Sequence, residues 1–354
     1  MPVQNPFTTT FSKIPKRTCI KRDELDKLIE NFSFEDPTES VYKITGVRGS
    51  GKTVGLAQIE SLYRSEENAE KGWLVYSLNP ARDMLIQFGA SLANEKFIHQ
   101  KPDSISANVN LSILGTGVGL GASFKNKDDI KDIGVQIDAM LKKTVESGKR
   151  IMLTVDEVSK TPEMVQFCLE YGEWLRQGLP VYFVCTGLYE NITELGNTKN
   201  LTFFKRAPAI KMESLNRILI VEAYKKMLGK ETKECQKLAN ITKGYAYAFQ
   251  QLGSLMFEEP NEDVTDDLKS ALFGNVYEKI WDELTENERQ FLKTMKEDRE
   301  YKREEIMEAL EDRSGNYSSY RDRLLRRGII TKAAYGYIKI TLPFFNEYIE
   351  EYCN

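Results

Sequence analysis

Eight consecutive residues, Gly46-Val47-Arg48-Gly49-Ser50-Gly51-Lys52-Thr53, carry the most specific chemistry in the chain. They satisfy G-x-x-x-x-G-K-[ST], whose four fixed positions match by chance about once in a hundred chains of this length. Each residue type has a reason to be there. The glycines let backbone N–H groups wrap phosphate oxygens, and Lys52 sets a point charge on the β and γ oxygens. Thr53 offers its hydroxyl to Mg²⁺, and the N-terminus of a following helix adds its dipole. The pattern predicts a nucleotide site, with ATP or ADP and Mg²⁺ as its ligands.

A second group is Ile151-Met152-Leu153-Thr154-Val155-Asp156-Glu157, an apolar run ending in two acids. A buried strand with this ending places Asp156 to hold Mg²⁺, directly or through water, and Glu157 to polarise an attacking water. The bland alternative is a strand that ends in two solvated acids. The acid pair argues against a small-molecule kinase, which needs no water-activating glutamate. A third group, Val181 to Gly187, ends in Thr186-Gly187. Thr186 either senses the γ-phosphate and orients water or satisfies strand-end backbone groups. In Lys205-Arg206, Arg206 is either a finger reaching a neighbour's γ-phosphate, which requires a homo-oligomer, or a surface arginine.

These residues need a sheet to hold them. Short apolar runs at Val41–Thr45, Trp73–Leu78, Ile151–Val155, Val181–Cys185 and Ala209–Met212 predict five strands. Between them, helical periods occupy Lys52–Ser65, Asp83–Leu92, Ile130–Val145 and Glu163–Arg176. Alternating strands and helices predict an α/β fold, a parallel five-stranded sheet flanked by helices. Before it come a polar arm and a helical pattern from Asp23 to Phe32. Ser104 to Phe124 reads as an inserted β-hairpin in which Gly115, Gly117, Gly119 and Gly121 strip one face of side chains. That face suits either close sheet packing or a partner's backbone. After Met212 the strands stop. Helices are expected at Leu215–Met227, Lys233–Ile241 and Ala246–Phe257, followed by a solvated acidic connection over residues 258–267.

The C-terminal part predicts a winged helix. Thr285-Glu286-Asn287-Glu288 is a capping box opening a first helix, and Glu304–Leu310 and Asn316–Arg327 make two more. Ile329–Lys332 and Tyr337–Thr341 then pair across Ala333-Ala334-Tyr335-Gly336. Residues 276–354 hold 14 Lys/Arg against 17 Asp/Glu, yet Arg313 to Lys339 holds seven bases against the single acid Asp322. Arg321, Arg323, Arg326, Arg327, Lys332 and Lys339 are the candidate contacts to duplex DNA. A winged helix whose arginines face solvent, or which binds protein, is the alternative.

Composition sets outer bounds. The 354 residues divide at ~150 per domain into two or three. The division expected is an arm at 1–19, a core at 20–212 with its hairpin near 104–124, a helical lid at 213–275 and a winged helix at 276–354. The chain is 41% hydrophobic and 29% charged, which excludes disorder, and its net charge of −4 gives no global attraction to nucleic acid. His99 is the single histidine, so His-cluster metal sites and a histidine triad are excluded. Five scattered cysteines without a CxxC pair exclude a zinc finger and suit a reducing compartment. No stretch reaches the ~20 apolar residues of a membrane span, and Met1 to Lys16 has no signal-like apolar region. A cytoplasmic protein is expected.

The order of phosphate loop, Asp-Glu strand, Thr-Gly strand, Arg206-Ala207-Pro208 and helical lid resembles the AAA+ ATPases. More narrowly, it is similar to the prokaryotic archaeal-ATPase and origin-recognition-like group. Asn5-Pro6-Phe7-Thr8, Arg22-Asp23-Glu24, Gly72-Trp73, Lys160-Thr161-Pro162-Glu163-Met164 and Gly244-Tyr245 resemble its recurring phrases, and the likeness runs from Asn5 to about Tyr348. The resemblance implies a five-stranded core, a lid over the nucleotide and a C-terminal winged helix. It also implies that the segment Ile20-Lys21-Arg22 lies against adenine, making Ile20 and Lys21 cofactor-binding residues. Two departures stand out. Lys21-Arg22 replaces the usual Gly-Arg. Gly244-Tyr245-Ala246-Tyr247 carries neither the lid arginine of initiators nor the Gly-x-Pro of signalling relatives. The missing lid cation predicts slow hydrolysis, suited to a switch. Three readings follow: an ATP-dependent DNA-binding switch, a signalling or scaffold ATPase that binds protein, and a P-loop phosphotransferase for which no acceptor site is evident.

Overall fold

The computed structural model describes residues 4–99, 128–310 and 316–353. The hairpin expected over Ser104–Phe124, and Arg313, lie outside the described residues. The chain forms two compact units. One comprises Lys27–Ile44 and Leu56–Ile210; the other comprises Met1–Asp26, Thr45–Gly55 and Lys211–Asn354.

The first unit is built on a five-stranded parallel sheet, ordered β2-β3-β4-β1-β5. Its strands are β1 (Val41–Thr45), β2 (Trp73–Leu78), β3 (Arg150–Val155), β4 (Val181–Gly187) and β5 (Ala209–Lys211). The five strands expected for the sheet are present, with ends displaced by at most two residues. β2 and β3 pair in parallel from Trp73 opposite Arg150 to Leu78 opposite Val155, and β3 pairs with β4 from Ile151 to Val155. β1 and β4 are buried along their whole length, as strands covered on both faces must be. Successive side chains point to opposite faces, so neighbouring aromatics serve different layers. Tyr182 packs with Phe32 and Trp73, each 5.2 Å away between ring centroids, whereas Phe183 packs with Phe167 at 5.4 Å.

The flanking helices begin where local chemistry starts them. Asp83 caps the helix Met84–Ala93 by accepting the Ile86 N–H at 3.0 Å. Thr161 caps Pro162–Arg176 by accepting the Met164 N–H at 3.2 Å, with Pro162 in the first turn. From the helix Lys52–Tyr63, the Glu60 carboxylate accepts hydrogen bonds from Thr154 on β3 and from Ser77 on β2 at 2.7 Å. That ties the helix face to two strands.

The second unit has its own apolar core, running from Phe7 through Tyr224, Phe249 and Tyr277 to Phe291, Tyr317 and Ile349. The arm is part of it. Phe7 is buried between Tyr224 and Phe249, with centroids 5.9 and 6.0 Å away, and Asn5 donates to Ser254 at 2.9 Å and to Glu258 at 2.8 Å. Three helices follow the sheet: Arg217–Leu228, Thr232–Thr242 and Ala246–Glu258. The acidic connection is shorter than its composition suggests. Val264 is buried, and Thr265-Asp266-Asp267 open the helix Thr265–Leu272, where acids suit the positive end of the helix dipole.

C-terminal helices at Glu286–Lys293, Arg303–Ala309 and Tyr317–Arg327 surround an antiparallel sheet ordered β6-β8-β7. Its strands are β6 (Tyr301–Lys302), β7 (Ile330–Lys332) and β8 (Tyr337–Ile340); β6 extends the expected pair to three. The capping box is present: the Glu288 carboxylate accepts from the Thr285 N–H at 2.9 Å and from its hydroxyl at 2.8 Å. Among the described residues, no helix is long and apolar enough to cross a membrane.

Candidate nucleotide site

The phosphate loop belongs to the second unit and is held there from three sides. Gly49 and Gly51 have φ of +76° and +92°, which side-chain-bearing residues rarely adopt. A Cβ on Gly49 would lie 2.2 Å from the Tyr245 phenol, and one on Gly51 would lie 2.8 Å from the Arg22 guanidinium. Glycine is therefore required twice over, by backbone conformation and by space.

Lys52 Nζ donates to the carbonyls of Gly46 at 3.0 Å and Val47 at 3.1 Å, so the loop folds around its own ammonium. The Ser50 hydroxyl oxygen and the Arg48 Nε are buried without a hydrogen-bond partner among the described residues. Orphaned polar atoms of this kind in a glycine-built cradle fit a polar ligand.

Three residues that the motifs did not single out shape the loop. Arg22 is buried and donates to the Ser50 carbonyl at 2.5 Å and to the Glu213 carbonyl at 2.7 Å, with Glu24 at 3.3 Å. Burial lowers its pKa, and Glu24 works against that shift. Tyr245 donates its phenol to the Arg48 carbonyl at 2.5 Å, and burial pushes that phenol well above its ordinary pKa, with Tyr247 adding to the effect. The Tyr247 N–H donates to the Gly49 carbonyl at 3.1 Å, and its ring stacks on Phe11 at 4.8 Å. The two tyrosines therefore stand at the loop. Ile20 is buried in the core of this unit. Lys21 is turned to solvent, where hydrogen bonding to Asp26 at 2.8 Å raises its pKa, with Asp23 at 3.4 Å.

The acid pair belongs to the other unit. The Thr186 hydroxyl at the end of β4 donates to the Asp156 carboxylate and accepts the Glu157 N–H at 3.0 Å. The Val158 N–H donates to the Thr186 carbonyl at 2.8 Å. The Thr186 hydroxyl thus satisfies a strand-end backbone group and contacts the Asp156 carboxylate. Glu157 is exposed and has φ of +56°, a sparsely populated conformation for a residue with a side chain. Arg206 ends the short helix Thr202–Arg206 and is exposed. Thr53 is half-buried in the first turn of Lys52–Tyr63.

The C-terminal cations divide. Arg326, Lys332 and Lys339 are exposed. Arg321 pairs with Asp322 at 2.8 Å, and Arg323 lies 3.4 Å from the Glu288 carboxylate. Arg327 corrects the sequence reading, because it is buried rather than presented to a duplex. Its Nη1 donates to the Glu283 carbonyl at 3.0 Å, and its Nε lies 3.7 Å from the fully buried Glu288 carboxylate.

A domain of unknown function (DUF8462) matches residues 274–349. No curated protein matches the sequence. Among solved structures, the chain is similar to the ORC2 protein of Aeropyrum pernix, described with ADPNP and ADP, at 13% identity. That likeness covers 97% of this chain and 95% of the other, with a TM-score of 0.58. Cdc6p from Pyrobaculum aerophilum is also similar, at 14% identity, 98% of both chains and a TM-score of 0.46. The chain shares the fold of the Aeropyrum pernix structure, a five-stranded parallel sheet flanked by helices.

Proposed function

We propose that this protein is an AAA+ ATPase working as a slow nucleotide-dependent switch that binds duplex DNA through a C-terminal winged helix. The observation that carries the nucleotide part is the complete G-x-x-x-x-G-K-T loop, with Lys52 bonded to its own carbonyls and Ser50 Oγ buried and unpartnered. Gly46 to Thr53 would take the phosphates of ATP or ADP, and Ile20 and Lys21 would lie towards the base. The fold likeness to a protein described with ADPNP and ADP supports this assignment.

In hydrolysis, Glu157 would accept a proton from the attacking water, and Thr186 would hold Asp156 and the Glu157 backbone in place for it. The Thr53 hydroxyl and the Asp156 carboxylate are the hard oxygen donors that Mg²⁺ prefers, and the ion when bound would neutralise phosphate charge. Arg206 would act on a neighbouring copy's nucleotide if the protein assembles with itself. With tyrosines where a lid cation would stand, turnover stays below about ten per second, the median for enzymes.

The winged-helix reading rests on three helices and a three-stranded antiparallel sheet. Arg326, Lys332 and Lys339 would contact phosphates, with Arg321 and Arg323 beside them. One observation favours the second reading, a scaffold ATPase that binds protein: Arg327 is buried, and Arg321 and Arg323 already sit beside carboxylates. Titration of duplex at rising salt separates the two. The DNA reading requires affinity that falls steeply with salt, and affinity indifferent to salt sinks it. Product analysis showing only ADP and phosphate excludes phosphotransfer.

A further inference from the structure

Arg48 is one of the four variable residues of the phosphate loop, and its side chain is already committed. Its Nη2 lies 3.0 Å from the Glu283 carboxylate, at the end of the helix Glu278–Asp282 that leads into the C-terminal elements. Both side chains are about one-third exposed, at 32% and 34%. The main chain of Glu283 is committed too, since its carbonyl accepts the buried Arg327 guanidinium from the end of Tyr317–Arg327 at 3.0 Å. Just beyond, a Cβ built on Gly328 would lie 3.8 Å from the Val47 amide nitrogen. The C-terminal elements therefore rest directly on the phosphate loop, with Glu283 as the joint.

We propose that the Arg48–Glu283 ion pair is a latch that docks the C-terminal elements on the phosphate loop and is opened by nucleotide. This rests on the nucleotide-binding reading above. Three features carry it. Arg48 Nε is a buried donor without a partner among the described residues, which leaves the guanidinium capacity for an acceptor on the loop side. A bound polyphosphate brings several negative charges within an arginine's reach of Glu283, repelling that carboxylate while competing for Arg48. The pair is partly exposed, so its own strength is modest and a phosphate can outbid it.

Linkage gives the latch a sign. If nucleotide binding must break the pair, removing the pair strengthens nucleotide binding by the energy the pair contributed. Glu283 then moves free of the loop but stays bonded to Arg327, so the change reaches the helix that carries Arg321, Arg323 and Arg326. Nucleotide occupancy would in this way be read out at the cationic surface.

The test uses the full chain and Mg-ATP, with affinity measured by calorimetry and amide exchange followed at residues 283–285. Glu283→Gln should bind Mg-ATP about two- to fivefold more tightly than wild type, the range a partly exposed ion pair supports. In wild type, exchange at 283–285 should quicken on adding Mg-ATP; in Glu283→Gln it should be quick throughout. In Arg48→Gln, adding Glu283→Gln should raise affinity by less than it does in wild type, because the ion pair is already gone and only the carboxylate's repulsion of the phosphates is relieved. Wild-type binding with unaltered or weaker affinity in Glu283→Gln, or exchange at 283–285 indifferent to Mg-ATP, would overturn the latch alone. Absence of binding in every variant would overturn the nucleotide reading and the latch together.

Discussion

The phenol of Tyr245 donates a 2.5 Å hydrogen bond to the carbonyl of Arg48, joining residues 197 positions apart in the chain. The segment Gly244–Tyr247 therefore meets the phosphate loop through a neutral donor on the loop's backbone. A phenol in that position fixes the loop's shape and adds no positive charge to a transition state.

Removing the hydroxyl alone tests that role. Tyr245→Phe keeps the buried ring and leaves the Arg48 carbonyl without its donor, a loss of about 1 kcal/mol for an ordinary hydrogen bond. Nucleotide affinity should fall by about three- to tenfold, with little change in turnover at saturating ATP, measured by calorimetry and phosphate release. Replacement by arginine is the informative contrast: Tyr245→Arg should raise turnover if the missing cation is what makes hydrolysis slow.

Thr186 is predicted to matter through the acids it touches. Thr186→Val removes the hydroxyl that donates to Asp156 and accepts from the Glu157 N–H, whereas Thr186→Ser retains it. Turnover should drop by about a hundredfold in the valine variant, the lower range for a disturbed general base, and recover in the serine variant. Nucleotide affinity should stay within about threefold in both, since lost catalysis with intact binding separates an active role from a folding defect.

Arg326 and Arg327 are adjacent, yet their substitutions should behave oppositely. Arg327→Ala strips the buried Glu288 carboxylate and the Glu283 carbonyl of a cationic neighbour, and breaking such a buried arrangement costs about 3 kcal/mol or more. Thermal melting should register it as a clear loss of stability. Arg326→Ala should melt close to wild type while weakening duplex binding and reducing its salt slope by about one. A stable Arg327→Ala protein would contradict the inward role given to that residue.

The sheet and the loop were legible because their signals are local. β3 and β4 are mostly apolar runs, as buried strands are, and the phosphate loop is a contiguous motif between a strand and a helix. The helix start at Thr285 was readable from its capping box within three residues. What stayed hidden depends on partners far away in sequence. Arg327 sits in a cationic run and looks like a surface residue. Only Glu288 and Glu283, some 40 positions earlier, show that it faces inward. Phe7 sits in a polar arm, and its burial follows from Tyr224 and Phe249. The roles of Arg22 and Tyr245 at the loop have the same origin. The end of the acidic stretch was misread because Val264 buries itself and lets Thr265 begin a helix.

In the proposed function, the Gly46–Thr53 loop binds ATP and Glu157 drives its hydrolysis. The most direct measurement compares Mg-ATP binding and phosphate release in wild type, Lys52→Ala and Glu157→Gln. Wild type should bind and turn over slowly, and Lys52→Ala should lose at least about tenfold in affinity with its charge-assisted contacts. Glu157→Gln should keep wild-type affinity and lose about a hundredfold or more in turnover. Mg-ATP binding that survives Lys52→Ala unchanged, or hydrolysis that is indifferent to Glu157→Gln, would contradict the account.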